Sequence, residues 1–344
     1  MDVKEESRNG QQKGVVDLTV VIPMYNEEEN VELTVMKVKE ELAKQQYHWE
    51  ILIVNDGSTD RTLSLASALS EHDSRVRVVS YPKNGGRGKA MRTGFAHAKG
   101  EYIVTVDADL SYEPKYITKL ADELLRDRDL DMVIGSPYSP GGDAEDVPFH
   151  RLLISKLGNK IVGYAMEGNL HTVTGILRGY RRSAINALEL LSDGKEIHLE
   201  ILSKALAVGL KVKEVPAVLR GRKRGKSKFK FRATAISHLM FSFYEKPVML
   251  FGFIGLILLA SGFATGMYIS ILRFLGTLNP GRPLLYLTVL LVVVGIQMLS
   301  FGFLANQLVF LKRNIFIIQK ENREVSQKVE ALREEILNVE TLKR

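Results

Sequence analysis

The run Tyr102-Ile103-Val104-Thr105-Val106-Asp107-Ala108-Asp109 joins a β-branched stretch to two carboxylates one residue apart. Such a stretch reads as a buried strand. Side chains alternate along an extended chain, so Asp107 and Asp109 point the same way where the strand ends. Outward from residues 102–107 the same rhythm repeats in both directions. Strands are expected at 18–23, 50–55, 76–80 and 131–135, with helical spacing at 28–44, 60–72, 86–99 and 114–126. This βαβα order predicts an α/β fold, a mostly parallel sheet with helices on both faces. Ligands of such sheets bind beyond the carboxyl ends of the strands. Tyr25-Asn26-Glu27, Asp56, Asp107 and Asp109 all fall there.

Further along, helices are expected at 150–166, 183–191 and 197–208, with a strand near 211–215. Residues 229–246 intersperse basic side chains with Phe229, Phe231, Ile236, Leu239, Met240, Phe241 and Phe243. This reads as an amphipathic helix, lying on a membrane surface or docked on the globular domain. Residues 248–272 and 284–310 carry no charge, and each exceeds the roughly 20 apolar residues that span a hydrocarbon core. The link between them holds Asn279-Pro280-Gly281, a turn signal. A transmembrane helical hairpin over 247–311 is expected. Residues 312–344 read as a charged helix in which Asn322, Val325, Val329, Leu332, Ile336 and Val339 keep heptad spacing, either a short coiled coil or a solvated helix.

The chain has 344 residues, 45% of them hydrophobic, and a formal charge of +7. Eight basic residues lie between Arg220 and Arg232 with no acidic one; removing these 8 from +7 leaves −1. The basicity is therefore one local device rather than a nucleic-acid surface. It flanks the apolar runs, as does Lys312-Arg313, whereas the link carries only Arg273 and Arg282. The positive-inside rule then places the globular half and both termini in the cytoplasm. There is no cysteine, which excludes disulfides and thiolate metal sites. Residues 1–17 are polar, with no signal-peptide core, and read as a loose tail.

Asp107 and Asp109 suit Mg2+ or Mn2+ bridged to a diphosphate. Asp56, in Asn55-Asp56-Gly57-Ser58-Thr59-Asp60, can accept hydrogen bonds from a base or ribose, while Asp60 can cap the next helix. Pro23, Tyr25 and Glu27 end the first strand; Tyr25 can flank a base, and Glu27 can bond a ribose or cap a helix. Asn84-Gly85-Gly86-Arg87-Gly88-Lys89 lacks P-loop spacing, but its glycines admit close backbone approach and Lys89 can offset diphosphate charge. Glu200 either orients a substrate or serves the fold.

Taken together, Pro23-Met24-Tyr25-Asn26-Glu27, Asn55-Asp56-Gly57-Ser58-Thr59-Asp60 and Asp107-Ala108-Asp109-Leu110 resemble the family-2 glycosyltransferases with a GT-A, Rossmann-like fold, over residues 18–228. Arg224-Gly225-Lys226-Ser227-Lys228 is similar to the Arg-Gly-x-Ser-Lys motif of the polyprenyl-phosphate members, which include dolichyl-phosphate mannose synthases. Leu177-Arg178-Gly179-Tyr180-Arg181-Arg182 and the two-helix tail look like the bacterial and archaeal members that make glucosyl- or aminoarabinosyl-lipid phosphates. The resemblance implies a nucleotide-sugar donor, GDP-mannose or a UDP-hexose, a polyprenyl or dolichyl phosphate acceptor, and inversion at the sugar. It implies Asp56 on the base, Asp107 near ribose and diphosphate, and Asp109 on the metal. Arg151, Ser155, Arg222, Arg224 and Lys228 would lie near the acceptor phosphate. Three departures stand out: Ser111 sits where mannose synthases often carry a Gln, Gly135-Ser136-Pro137-Tyr138 replaces Gly-Ser-Arg-Tyr, and the Asp usual before the Ser-Gly step is replaced around His171-Thr172, with Thr174-Gly175 retained. The Gln-x-x-Arg-Trp motif of processive polysaccharide synthases is absent, since the one tryptophan is Trp49. The heptads, read as a coiled coil, would allow a homo-oligomer; read as a solvated helix, they leave the oligomeric state open.

Overall fold

A computed structural model describes residues 16–146, 155, 156, 159, 170–221, 246–277 and 283–342. The first four βα units are β1 (Leu18–Met24), α1 (Val31–Leu42), β2 (Trp49–Asp56), α2 (Thr62–His72), β3 (Val76–Tyr81), α3 (Arg87–His97), β4 (Tyr102–Thr105) and α4 (Lys115–Arg126). After them come β5 (Met132–Ser136), β6 (Asp143–Glu145), β7 (Arg178–Arg181), α5 (Arg182–Asn186), α6 (Ile197–Ala207), β8 (Val212–Pro216) and β9 (Val218–Arg220). Two long helices close the chain, α7 (Pro247–Phe274) and α8 (Pro283–Leu342).

Seven strands form one sheet in the order β3-β2-β1-β4-β7-β5-β8. Every pair is parallel except those that β7 makes with β4 and β5. Alternation along each strand feeds two cores. Val20, Ile22, Ile51, Ile53 and Val104 face α1, α2 and α4. Val21, Leu52, Val54, Ile103 and Ile134 face α3, α5 and α6. All eight residues of β2 are buried, as a strand covered on both faces requires. The sheet winds from β1 to β2 and β3, then crosses back to β4 on the far side of β1. The carboxyl ends of β1 and β4 therefore flank the crevice where the winding reverses, which is where such sheets bind ligands.

The antiparallel strand β7 was not expected. Arg178-Gly179-Tyr180-Arg181 holds two charges and a glycine, which hides a strand pattern. Its burial rests on long-range partners. Arg178 is fully buried, and its guanidinium donates to the carbonyls of Gly175 at 2.8 Å, His198 at 2.8 Å and Val173 at 2.6 Å. A Cβ on Gly179 would lie 3.1 Å from Leu124, so the glycine admits α4 against the strand. The helix expected at 183–191 is cut to α5. Residues 187–195 instead give their backbone groups to side chains of neighbouring helices, as described below.

α7 and α8 are long and apolar enough to cross a membrane, with few of their side chains buried. They pack antiparallel: Gly255 faces Leu299, Gly295 faces Leu259, Gly262 faces Val292, and the Thr288 hydroxyl donates to Thr265 at 3.0 Å. Small residues bring the backbones close, which is how helices associate where no hydrophobic force favours it. No break separates the apolar part of α8 from its charged end. Its 60 residues rise roughly 90 Å, about three times a hydrocarbon core. Apart from residues 16, 17, 155, 156, 159 and 246, the expected tail at 1–17 and the expected helices at 150–166 and 229–246 lie outside the described residues.

Candidate active site

Asp56 ends β2 and is buried. Its carboxylate accepts four hydrogen bonds: from the Tyr81 hydroxyl at 2.6 Å, Asn84 Nδ2 at 2.9 Å, Gly85 N–H at 2.7 Å and Gly86 N–H at 3.0 Å. These occupy the roughly four acceptor positions of a carboxylate. Asp56 was expected on a nucleotide base; here it fastens the glycine loop, and a base N–H would have to share or displace one of these donors. Burial and the bond to Asp56 raise the Tyr81 pKa, so its hydroxyl stays a donor.

The turn after β1 is fixed to the turn after β2. Asn26, at φ 52°, receives the Thr59 N–H at 2.8 Å and gives its own N–H to Ser58 at 3.0 Å. Glu27 gives its N–H to Thr62 Oγ1 at 2.8 Å, and its carboxylate accepts from Asn30 Nδ2 at 2.7 Å, at the start of α1. Asp60, expected to cap α2, accepts the N–H of Thr62 at 3.0 Å; the N-cap position itself is Arg61, with no side-chain cap bond. Pro23 pairs in register with Val54, and Tyr25 is half-buried just beyond it. Pro23, Tyr25, Glu27 and Asp56 thus share one edge of the crevice.

The glycine loop opens α3. Gly86 has φ 90°, where L side chains are strained, and a Cβ there would lie 2.5 Å from the Asp193 carbonyl. Asp193 O accepts the Gly88 N–H at 2.7 Å. The helix then separates Arg87 from Lys89. Residues advance about 100° per step, so two apart point nearly opposite ways. Lys89 Nζ lies over the Tyr81 ring, 4.4 Å from its centroid, and the Lys89 stem crosses Gly85. Arg87 Nη2 instead donates to Asp107 Oδ1 at 3.0 Å. The cation beside Asp107 is Arg87; Lys89, expected to offset the diphosphate, sits in the Asp56–Tyr81 cluster.

Beyond β4, Asp109 Oδ1 accepts the Ser111 N–H at 3.0 Å. The carbonyl of Ser111 accepts the Arg220 N–H at 2.8 Å. The loop carrying the carboxylates is thereby tied to the first residue of the basic run. Leu110 between them has φ 54°, a conformation that costs a branched side chain about 1–2 kcal/mol. Tyr112 is held protonated by burial and by Asp107. The Lys195 ammonium is depressed by burial and by Arg87, with Asp107 opposing. Lys195 therefore shares the local field of Arg87 and Asp107.

Glu200, expected to orient a substrate or serve the fold, is engaged by groups of the fold. Its carboxylate accepts Leu191 N–H at 2.9 Å, Ser192 N–H at 2.8 Å and Lys204 Nζ at 2.7 Å. Burial pushes its pKa up, but these bonds outweigh it and hold the carboxyl below its usual range. Ser155 accepts the Tyr138 hydroxyl at 2.7 Å. Arg151, Arg222, Arg224 and Lys228 lie outside the described residues. Sequence reasoning passed over Arg87, Tyr81, Lys195 and His198. Arg87 stood inside the glycine motif, where its helical phase relative to Lys89 was the available signal. Lys195 and His198 carried none.

Among the described residues no three His, Asp or Glu side chains cluster as a metal cage. Asp107 and Asp109 supply two carboxylates at one strand end, with Ser111 giving a backbone N–H rather than a third acidic ligand. Mg2+ is commonly bound through one or two carboxylates plus substrate phosphates and water. The donor set fits such an ion.

Comparison with known proteins agrees with this geometry. The family described as Glycosyl transferase family 2 matches residues 19–188. Dodecaprenyl-phosphate galacturonate synthase of Rhizobium johnstonii is 30% identical over 304 residues, covering 85% of this chain and 88% of that protein. Dolichol-phosphate mannosyltransferase of Pyrococcus furiosus is 37% identical over 216 residues, 62% of this chain and 59% of that one. Glucosyl-3-phosphoglycerate synthase from Mycobacterium tuberculosis, solved with Mn2+, uridine diphosphate and its glucosyl product, superposes with a TM-score of 0.51 at 21% identity. It covers 66% of this chain and 80% of that one, a likeness of fold. With its sequence relatives spanning most of its length, and its carboxylate pair standing where the sheet winding reverses, the chain belongs to glycosyl transferase family 2 and is a glycosyltransferase.

Proposed function

We propose that this enzyme transfers a sugar from a nucleotide diphosphate sugar to a polyprenyl phosphate at the cytoplasmic face of a membrane, inverting the anomeric centre. The observation that carries the reading is Ser111, whose N–H binds Asp109 and whose carbonyl binds the N–H of Arg220. It ties the loop of the carboxylate pair to Arg220, from which the basic run of the sequence continues through Arg222, Arg224 and Lys228. The relatives named above act, by their names, on dodecaprenyl and dolichol phosphates. α7 and α8 supply a hairpin long enough to reach the lipid. Arg323, on the polar end of α8, binds carbonyls of the globular domain, so that end and the domain lie on one side of the bilayer. The basic flanks make that side cytoplasmic.

A lipid monophosphate is largely dianionic at pH 7, its second pKa being about 6. It needs little help from a base, and the protein's contribution is positioning and electrostatics. Asp107 and Asp109 would hold Mg2+ or Mn2+, which would supply charge neutralisation for the departing diphosphate. Arg87 and Lys195 add fixed positive charge beside it. The edge formed by Pro23, Tyr25, Glu27 and Asp56 receives the nucleoside. Arg151, Ser155, Arg222, Arg224 and Lys228 hold the acceptor phosphate in line with the sugar; arginine suits that bidentate contact. Val325, Val329, Leu332 and Ile336, each more than half exposed on α8, support self-association through a second α8. The test is a panel of UDP- and GDP-sugars offered with one polyprenyl phosphate to the full chain, the lipid product weighed by mass spectrometry. A glycosyl-phosphoryl lipid from one donor is expected; nucleotide-sugar hydrolysis without a lipid product refutes the acceptor.

A further inference from the structure

Residues 187–195 cross the mouth of the glycine loop without regular structure, and their backbone groups are held by side chains from three helices. From α6, Glu200 takes the N–H groups of Leu191 and Ser192, and Lys204 donates to the Glu189 carbonyl. From α3, Arg92 donates to the Leu190 carbonyl at 3.4 Å and to the Asp193 carboxylate. From α8, Arg323 Nη1 donates to the carbonyls of Asn186 at 3.3 Å and Leu188 at 3.2 Å. Phe316 of α8 also presents its ring to Lys204, 5.0 Å from Nζ.

The far end of this strap meets the donor side of the crevice. Asp193 O accepts the Gly88 and Lys89 N–H groups at 2.7 and 3.3 Å. A Cβ on Gly88 would strike the Ser192 carbonyl. The glycine loop is therefore moulded against Ser192 and Asp193 on one side and fastened to Asp56 on the other. A shift of the strap has to move the first turn of α3, which carries Arg87 to Asp107. Orphaned backbone groups in a connection of this kind hold one conformation only while their partners are present.

We propose that Arg323 is a positioning residue for the nucleotide-sugar site, through which the membrane hairpin holds the strap 187–195 against the glycine loop. This rests on the function proposed above. Among the described residues its hydrogen bonds go to backbone carbonyls, so the strap is gripped by geometry rather than by side-chain identity. A planar guanidinium fork can bridge two carbonyls where an ammonium meets them as a point charge. The polar end of α8 thereby couples the part of the chain in the lipid to the part that binds the water-soluble substrate.

The test uses the full chain in nanodiscs, comparing wild type with Arg323→Ala, Arg323→Lys and Phe316→Leu. Binding of UDP and of GDP, each with Mn2+, is measured by calorimetry, and KM is measured for donor and for polyprenyl phosphate. Arg323→Ala is expected to weaken binding of the preferred diphosphate at least about fivefold, the lower end of typical coupling between sites. The lipid KM should stay within about twofold, and Arg323→Lys should recover part of the loss, as a merely destabilising change would not allow. Should Arg323→Ala fail to fold, Phe316→Leu carries the same expectation, since it removes the ring face from Lys204 while keeping apolar volume. Unchanged diphosphate binding in the folded variants, or a change confined to the lipid KM, overturns the proposal. A wild type that binds neither diphosphate overturns the functional reading itself, and this inference with it.

Discussion

Arg87 and Asp107 meet at 3.0 Å across the crevice, one from the first turn of α3 and the other from the loop after β4. The pair is partly exposed, so it contributes little to stability. Its place matters more, because it puts a guanidinium beside one of the two carboxylates proposed to hold a divalent ion. With such an ion bound, Arg87 would add positive charge for the diphosphate.

Arg87→Ala should therefore lower kcat/KM for the nucleotide sugar by about 10²–10³, as loss of one preorganised donor does. Lys89→Ala should cost less than Arg87→Ala, acting through the Tyr81–Asp56 cluster. Steady-state kinetics on both variants decide it, and equal losses would refute the division of labour.

Asp109→Ala should abolish transfer while leaving the thermal midpoint within a few degrees of wild type. Asp109 is partly exposed and accepts the Ser111 N–H in its own loop, and changes outside the core usually shift stability by about 0.5 kcal/mol or less. Product formation at the wild-type rate would remove the carboxylate pair from the mechanism.

Glu200→Ala should act on stability first. It strips a buried ammonium, Lys204, of its carboxylate and leaves two backbone N–H groups without their acceptor. Breaking a buried pair costs about 3–5 kcal/mol, which in a domain of this size lowers Tm by roughly 6–20 °C. Calorimetry should show that fall, with metal dependence unaltered. A normal Tm with a lost turnover would restore a substrate contact to Glu200.

His198 gives the folded protein an acid limit. Both ring nitrogens are buried without a hydrogen-bond partner. Burial, with Arg178 and Arg87 nearby, holds its pKa well below the usual imidazole value. Below about pH 6.5 the unfolded chain binds a proton that the folded chain refuses, so stability falls as pH drops, by up to about 1.4 kcal/mol per pH unit from this group. His198→Leu should remove that slope between roughly pH 6.5 and 5, read from urea midpoints. An unchanged slope would place the acid sensitivity elsewhere.

Local periodicity made much of the molecule legible in the residues alone. β-branched runs alternating with helical spacing gave β1 to β5 and α1 to α4, with ends off by up to three residues, and the motifs at strand ends marked one edge of the sheet. The two uncharged stretches gave α7 and the apolar part of α8, because twenty-odd apolar residues in a row are constrained by composition rather than by partners. These features depend on neighbours within a turn or a strand.

What the tertiary structure decided depends on groups far apart in sequence. β7 is a strand because β4, β5 and the carbonyls around Arg178 make it one. Arg87 rather than Lys89 reaches Asp107 because α3 enters its first turn at a fixed phase. Asp56 and Glu200 are engaged by backbone N–H groups, which carry no residue identity and so leave no mark in a motif. The docking of α8 on residues 186 and 188 rests on carbonyls as well. A sequence records which side chains can donate or accept; only the folded chain brings the backbone to them.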